Sequence, residues 1–103
     1  MDKKYTVKVD DNFHYMEESE RYDAGSYSNL EEAIEKCKEI TLQSLKDCYE
    51  KGMEADQLKA QWLAFGEDPF VFGEAGKPPF SAREFVSREL CTRVITEIER
   101  KKP

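Results

Sequence analysis

The sequence has no apolar run near the ~18 residues that a membrane helix requires, and its first residues, Met1-Asp2-Lys3-Lys4-Tyr5, contain no apolar core of a secretory leader. The expectation is a cytoplasmic protein with no membrane contact. It has one histidine, His14, so a histidine-rich metal centre is excluded. Its three cysteines, Cys37, Cys48 and Cys91, form neither a C-x-x-C pair nor zinc-ribbon spacing. Excess positive charge is also lacking: 16 basic residues face 22 acidic ones, for a net charge of −6. Such a balance repels phosphate backbones, and the basic runs Lys3-Lys4 and Arg100-Lys101-Lys102 sit at the two ends, so no nucleic-acid partner is expected.

What is present is one domain's worth of chain, residues 1–103, with 12% aromatic residues, too many for a disordered segment. Tyr5, Val7 and Val9 alternate with Thr6, Lys8 and Asp10, which predicts a strand with one wet face. Arg21 to Tyr27 reads as a second strand. Tyr22 and Ala24 are expected on one face, Asp23 and Tyr27 on the other, with a bulge at Gly25. Ser28 and Glu31 have the spacing of a capping box. After them Leu30, Ala33, Ile34, Cys37, Thr41, Leu45 and Cys48 form a helical stripe that Gly52 should close. A second helix is predicted from about Glu54 to Phe65, with Leu58, Trp62 and Phe65 inward. Glu67-Asp68-Pro69 reads as a turn, and Phe70-Val71-Phe72 as a short strand. Ser81 and Glu84 repeat the capping spacing before one last helix carrying Phe85, Val86, Leu90, Val94, Ile95 and Ile98. The apolar stripe of that helix rotates along its axis, which suggests either wrapping around the core or a homodimer through this helix. The fold class is therefore α+β: a small antiparallel sheet of about three strands with three helices packed on it, in the order β-β-α-α-β-α.

No segment carries catalytic chemistry, and the expectation is a protein that is not an enzyme and has no cofactor. Cys37 and Cys48 lie eleven residues apart on one helix face, ~16 Å along the axis, beyond the reach of a disulfide. Both fall on the apolar stripe and read as buried small hydrophobes. Gly73-Glu74-Ala75-Gly76-Lys77-Pro78 fails as a phosphate loop because Pro78 stands where Ser or Thr is needed. Asp10, Asn12 and His14 occupy the first three ligand positions of a calcium loop, but Tyr15 replaces the turn glycine and Arg21 the bidentate glutamate.

The segment from Asp10 to Tyr22 still stands out. Phe13, Tyr15, Met16 and Tyr22 alternate with Asp10, Asp11, Glu17, Glu18 and Glu20. Aromatics offer area to bury and carboxylates offer steering, so Asp10, Asp11, Asn12, His14, Tyr15 and Arg21 form a candidate surface for a protein partner. The ordinary alternative is that the aromatics plug the end of a small core. A second functional reading is a metal or small-molecule site built on His14 and its carboxylate neighbours.

The run Val9-Asp10-Asp11-Asn12-Phe13-His14-Tyr15-Met16, with Glu20-Arg21-Tyr22, Phe65-Gly66-Glu67-Asp68-Pro69-Phe70 and Phe80-Ser81-Ala82, resembles a family of short bacterial proteins. The likeness extends over most of the chain, although Arg83 stands where that family would place an aromatic. The family has no assigned activity or cofactor. The resemblance therefore implies a bacterial cytoplasmic setting and leaves the function to be read from the molecule.

Overall fold

The computed structural model describes residues 5–12, 21–73 and 80–100. Three strands form one antiparallel sheet in the order β2-β1-β3. They are β1 (Tyr5–Asp11), β2 (Tyr22–Tyr27) and β3 (Glu67–Gly73). The helices are α1 (Leu30–Cys48), α2 (Ala55–Phe65), α3 (Ala82–Phe85) and α4 (Arg88–Arg100). The α+β class and the order of elements are as the periodicities predict, except that the final helix is two.

The alternation in β1 is what creates a covered and an open side. Val7 and Val9 are fully buried, and α1 lies across all three strands on that side. α2 and α4 pack on each other and on α1. Val7, Ala33, Cys37, Leu45, Leu58, Trp62, Val86 and Val94 belong to one shared core. Leu90, Ile95 and Ile98 also pack against it, so the rotating stripe is used inside the molecule and does not call for a second copy. The rotation has a local cause. The helix breaks at Val86-Ser87, and the Ser87 hydroxyl accepts from the Leu90 amide at 3.0 Å, starting α4 afresh.

Several boundaries differ from the expected ones. Asn29, not Ser28, caps α1: its Oδ1 accepts from the Glu31 amide at 2.7 Å. Gly52 does not close α1, which ends at Cys48. It sits instead at φ 94° in a turn closed by the Met53 amide donating to the Glu50 carbonyl at 3.0 Å. That positive φ is the conformation glycine supplies in a type II turn. Glu54 caps α2, its amide donating to the Gln57 side chain at 2.8 Å. Phe65, expected inward, is 54% exposed. Gly66, the next residue, lies against the Trp62 indole.

Glu67-Asp68-Pro69 is strand, not turn. Asp68 pairs with Asp10, and Pro69 with Val9. A proline is tolerated because β3 is an edge strand. The bulge falls where Gly25 predicts it. Val7 faces Gly25 and Lys8 faces Asp23, so Ala24 is the extra residue. The bulge rephases β2. Tyr22 and Tyr27 pair with Val9 and Tyr5, and both therefore stand on the covered side of the sheet rather than on opposite faces. Among the described residues, no helix is long and apolar enough to cross a membrane.

Candidate binding face

The side of the sheet away from α1 is organised in cross-strand rows. Ser26, Thr6 and Phe72 form the first, and Asp23, Lys8 and Phe70 the second. Asp10 and Asp68 continue as the third, with Arg21 reaching in from the residue before β2. Thr6 and Ser26 share a hydroxyl–hydroxyl bond of 3.0 Å. Lys8 Nζ donates to Asp23 Oδ1 at 2.9 Å and lies 5.4 Å from the centre of the Phe72 ring. Arg21 lies 5.1 Å from the Phe70 centroid. These cations spread over the ring faces, a favourable electrostatic contact. Phe72 is nonetheless 61% exposed, the most open large apolar side chain described.

At the third row the two carboxylates sink into the protein. Arg21 Nε donates to Asp10 Oδ1 at 2.6 Å and Nη2 to Oδ2 at 3.4 Å, a two-point contact. Arg83, delivered by α3, places Nε 3.4 Å from Asp68 Oδ2. Its Nη2 donates to Asn12 Oδ1, also at 3.4 Å. Burial pushes the Asp68 carboxyl above its usual range; Arg83 opposes this and the neighbouring Asp10 adds to it. A cavity of about 410 Å³ opens between the two ion pairs, with Phe70, Phe80 and Ser81 completing its wall.

The expected surface changes in membership. Asp10 and Asn12 are each only 8% exposed. Asn12 is a brace: its Nδ2 donates to the Trp62 carbonyl at 2.8 Å, and its amide to the Gly66 carbonyl at 2.9 Å. The Ser44 hydroxyl takes the Glu67 amide at 2.9 Å, so this corner between α2 and β3 is pinned from two sides. Arg21 belongs to the open face, and Asp11 ends β1 opposite Glu67. His14 and Tyr15, like the other residues from Phe13 to Glu20, lie outside the described residues.

Among the described residues, no group of three or more His, Cys, Asp or Glu could hold a metal ion. Cys37 and Cys91 are buried, Cys48 is half-buried, and all three are free. Burial, with a contribution from Asp68, pushes the Cys37 thiol up to about 12, away from nucleophilic use.

Lys8, Asp68, Phe70, Phe72 and Arg83 are absent from the sequence-derived surface. A usable sign was there. Strict alternation through Phe70-Val71-Phe72 sends Val71 to the core and both rings to the side Lys8 occupies. No family model, no curated protein and no solved structure matches the chain.

Proposed function

We propose that the protein is a small interaction module that docks a protein partner on the open face of its sheet. The observation that carries this reading is Phe72, 61% exposed beside half-buried Phe70 on a face that α3 reaches through Arg83 at the Asp68 row. An exposed aromatic costs solvation and gains when a partner covers it. Aromatic and arginine side chains are enriched at interface centres, with polar groups at the rim. Phe72, Phe70 and Arg21 supply them here. The acidic total charge favours a protein over a nucleic acid as the partner. Three unpaired cysteines favour the cytoplasm as the setting.

The test is site-specific photocrosslinking in the native cell, with the probe at Phe72 or, as control, at Glu39 on the exposed side of α1. A partner trapped only from Phe72 is then purified and its affinity measured. Phe72→Ala should weaken binding by about tenfold or more, the loss expected of a central aromatic anchor. Its stability should stay within about 0.5 kcal/mol of wild type. Equal trapping from both positions, or unchanged affinity in Phe72→Ala, overturns the reading.

A further inference from the structure

We propose that the partner on the open face is a second copy of this chain, an inference that rests on that face being a docking surface. The two outer rows, Ser26-Thr6-Phe72 and Asp23-Lys8-Phe70, fit a copy of themselves. Two sheets stack face to face about 10 Å apart. A two-fold axis between them, running across the strands and passing between the two rows, sets each row over the other row of the second copy. Phe72 of one copy then meets Phe70 of the other, Lys8 meets Thr6, and Asp23 meets Ser26. The four rings form an apolar centre. Thr6 and Ser26 share one hydrogen bond of 3.0 Å, which uses one of their two hydroxyl protons. The other proton is left to donate to Asp23 of the second copy, whose side chain is 62% exposed, and the hydroxyl lone pairs accept from Lys8. The alternative axis, along the strands, sets Lys8 on Lys8 and Phe70 on Asp23, and like charges so opposed select the first. The third row, which Arg83 of α3 reaches, takes no part.

The net charge of −6 does not forbid this contact. Lys8 and Asp23 pair at 2.9 Å, so the two rows together are neutral. The exposed carboxylates Glu31, Glu35 and Glu39 stand on α1, across the sheet from the open face. In the stacked pair the two α1 helices are the outer layers, about 30 Å apart at roughly 10 Å per layer. That is well beyond the ~8 Å Debye length of physiological salt, so their repulsion is screened. A three-stranded face is only about 14 Å wide at ~4.8 Å per strand. The contact is therefore smaller than the ~800 Å² per partner of a standard complex. The dimer expected is a reversible one, with a Kd on the order of 100 μM.

The experiment is sedimentation equilibrium of the whole protein from about 5 μM to about 1 mM, which brackets that Kd. The average mass should climb from monomer toward dimer. Phe72→Ser should weaken association by about tenfold or more, as for a central aromatic anchor. Leu63→Ser, which removes an exposed apolar side chain of α2, should leave it unchanged. Ser26→Asp sets a second carboxylate against Asp23 across the axis and should weaken the dimer, whereas Ser26→Lys sets an ammonium there and should tighten it. Ser26 is on an edge strand, so these two variants still decide the matter should Phe72→Ser fail to fold. In a mixture of isotope-labelled and unlabelled protein, filtered NOEs should link Phe72 of one copy to Phe70 of the other. A monomer at every concentration, equal loss from Leu63→Ser, the same response to both Ser26 variants, or intermolecular NOEs confined to other faces overturns the second copy. If a different protein is trapped from Phe72 in the cell, the docking face survives that result; if nothing is trapped there, both fall.

Discussion

Gly66→Ala is a single-methyl probe of the joint between α2 and β3. Gly66 has φ −78° and ψ 179°, a conformation any residue adopts, so backbone strain is not at issue. The added Cβ would lie 2.2 Å from Trp62 Cδ1, 2.6 Å from Nε1 and 2.7 Å from Cγ. Ordinary contact begins near 3.4 Å, so one partner must move by more than an ångström. Neither moves cheaply. Trp62 is fully buried. Gly66 is tied down at both ends, its amide donating to the Trp62 carbonyl at 2.7 Å and its carbonyl accepting from Asn12 at 2.9 Å. Overpacking alone costs about 1–3 kcal/mol, and a lost Asn12 bond adds about 1 kcal/mol. The expected total is roughly 2–4 kcal/mol, a large part of the ~5–15 kcal/mol that holds a domain folded.

Urea unfolding followed by far-UV circular dichroism measures it, as a lower midpoint with unchanged slope. The cause is separated by a double-mutant cycle with Trp62→Leu, whose smaller side chain can turn into the space the indole vacates. In that background the alanine should cost less than about 1 kcal/mol, since residues in contact are not additive. A cost under about 0.5 kcal/mol in the wild-type background, or the same cost in both, would refute the steric account.

Three further outcomes are expected. Asn29→Ala should destabilise by about 1 kcal/mol while Ser28→Ala stays within about 0.5 kcal/mol, because Asn29 caps α1; equal losses in urea melts would return the cap to Ser28. Asp68→Asn should be at least as stable as wild type at pH 7. The folded carboxyl is raised by burial, so its favourable contribution is full at acid pH and lost as pH rises through the folded value. The gain should vanish below about pH 4, where the unfolded carboxyl is also protonated, and a variant weaker at pH 7 than at pH 4 would contradict this. Finally, a thiol reagent at neutral pH should reach Cys48 first and Cys37 and Cys91 only on unfolding, since the latter two are buried. The Cys37 thiol, raised to about 12, makes stability fall above about pH 9, where the unfolded thiol ionises. Rapid native labelling of Cys37, read by mass spectrometry, would refute its burial, and unchanged urea midpoints between about pH 8 and 10 would refute the pH dependence.

The elements were legible because their periods are clean. Val7 and Val9 are separated by polar residues, and α1 buries Ala33, Cys37, Thr41, Ser44 and Leu45 at helical spacing. The errors occur where two rules compete. Ser28 and Asn29 are both good caps, and side-chain reach to the Glu31 amide decided for Asn29. Pro69 argued for a turn, but an edge strand has a side on which a missing N–H is harmless. Ser87 can cap a helix as well as sit in one; here its hydroxyl takes the Leu90 amide while Val86 before it is buried in the core.

The face was harder to read because its members come from four places: β1, the start of β2, β3 and α3. Arg83 is 71 positions from Asn12 in the chain, yet bonds to it. No window of sequence contains that pair. The stretch from Asp10 to Tyr22 drew attention because charge and aromatics are adjacent there in sequence, yet its buried members, Asp10 and Asn12, are spent on Arg21, Trp62 and Gly66. The same alternation that buries Val7, Val9 and Val71 must set Lys8, Asp10, Asp68, Phe70 and Phe72 together on the other side. Once β1 and β3 are known to pair in register, the core assignment therefore fixes this face. The open rings and the sunken ion pairs are what a two-sided sheet with helices on one side leaves over, and Phe72 is where that remainder is most costly to leave in water.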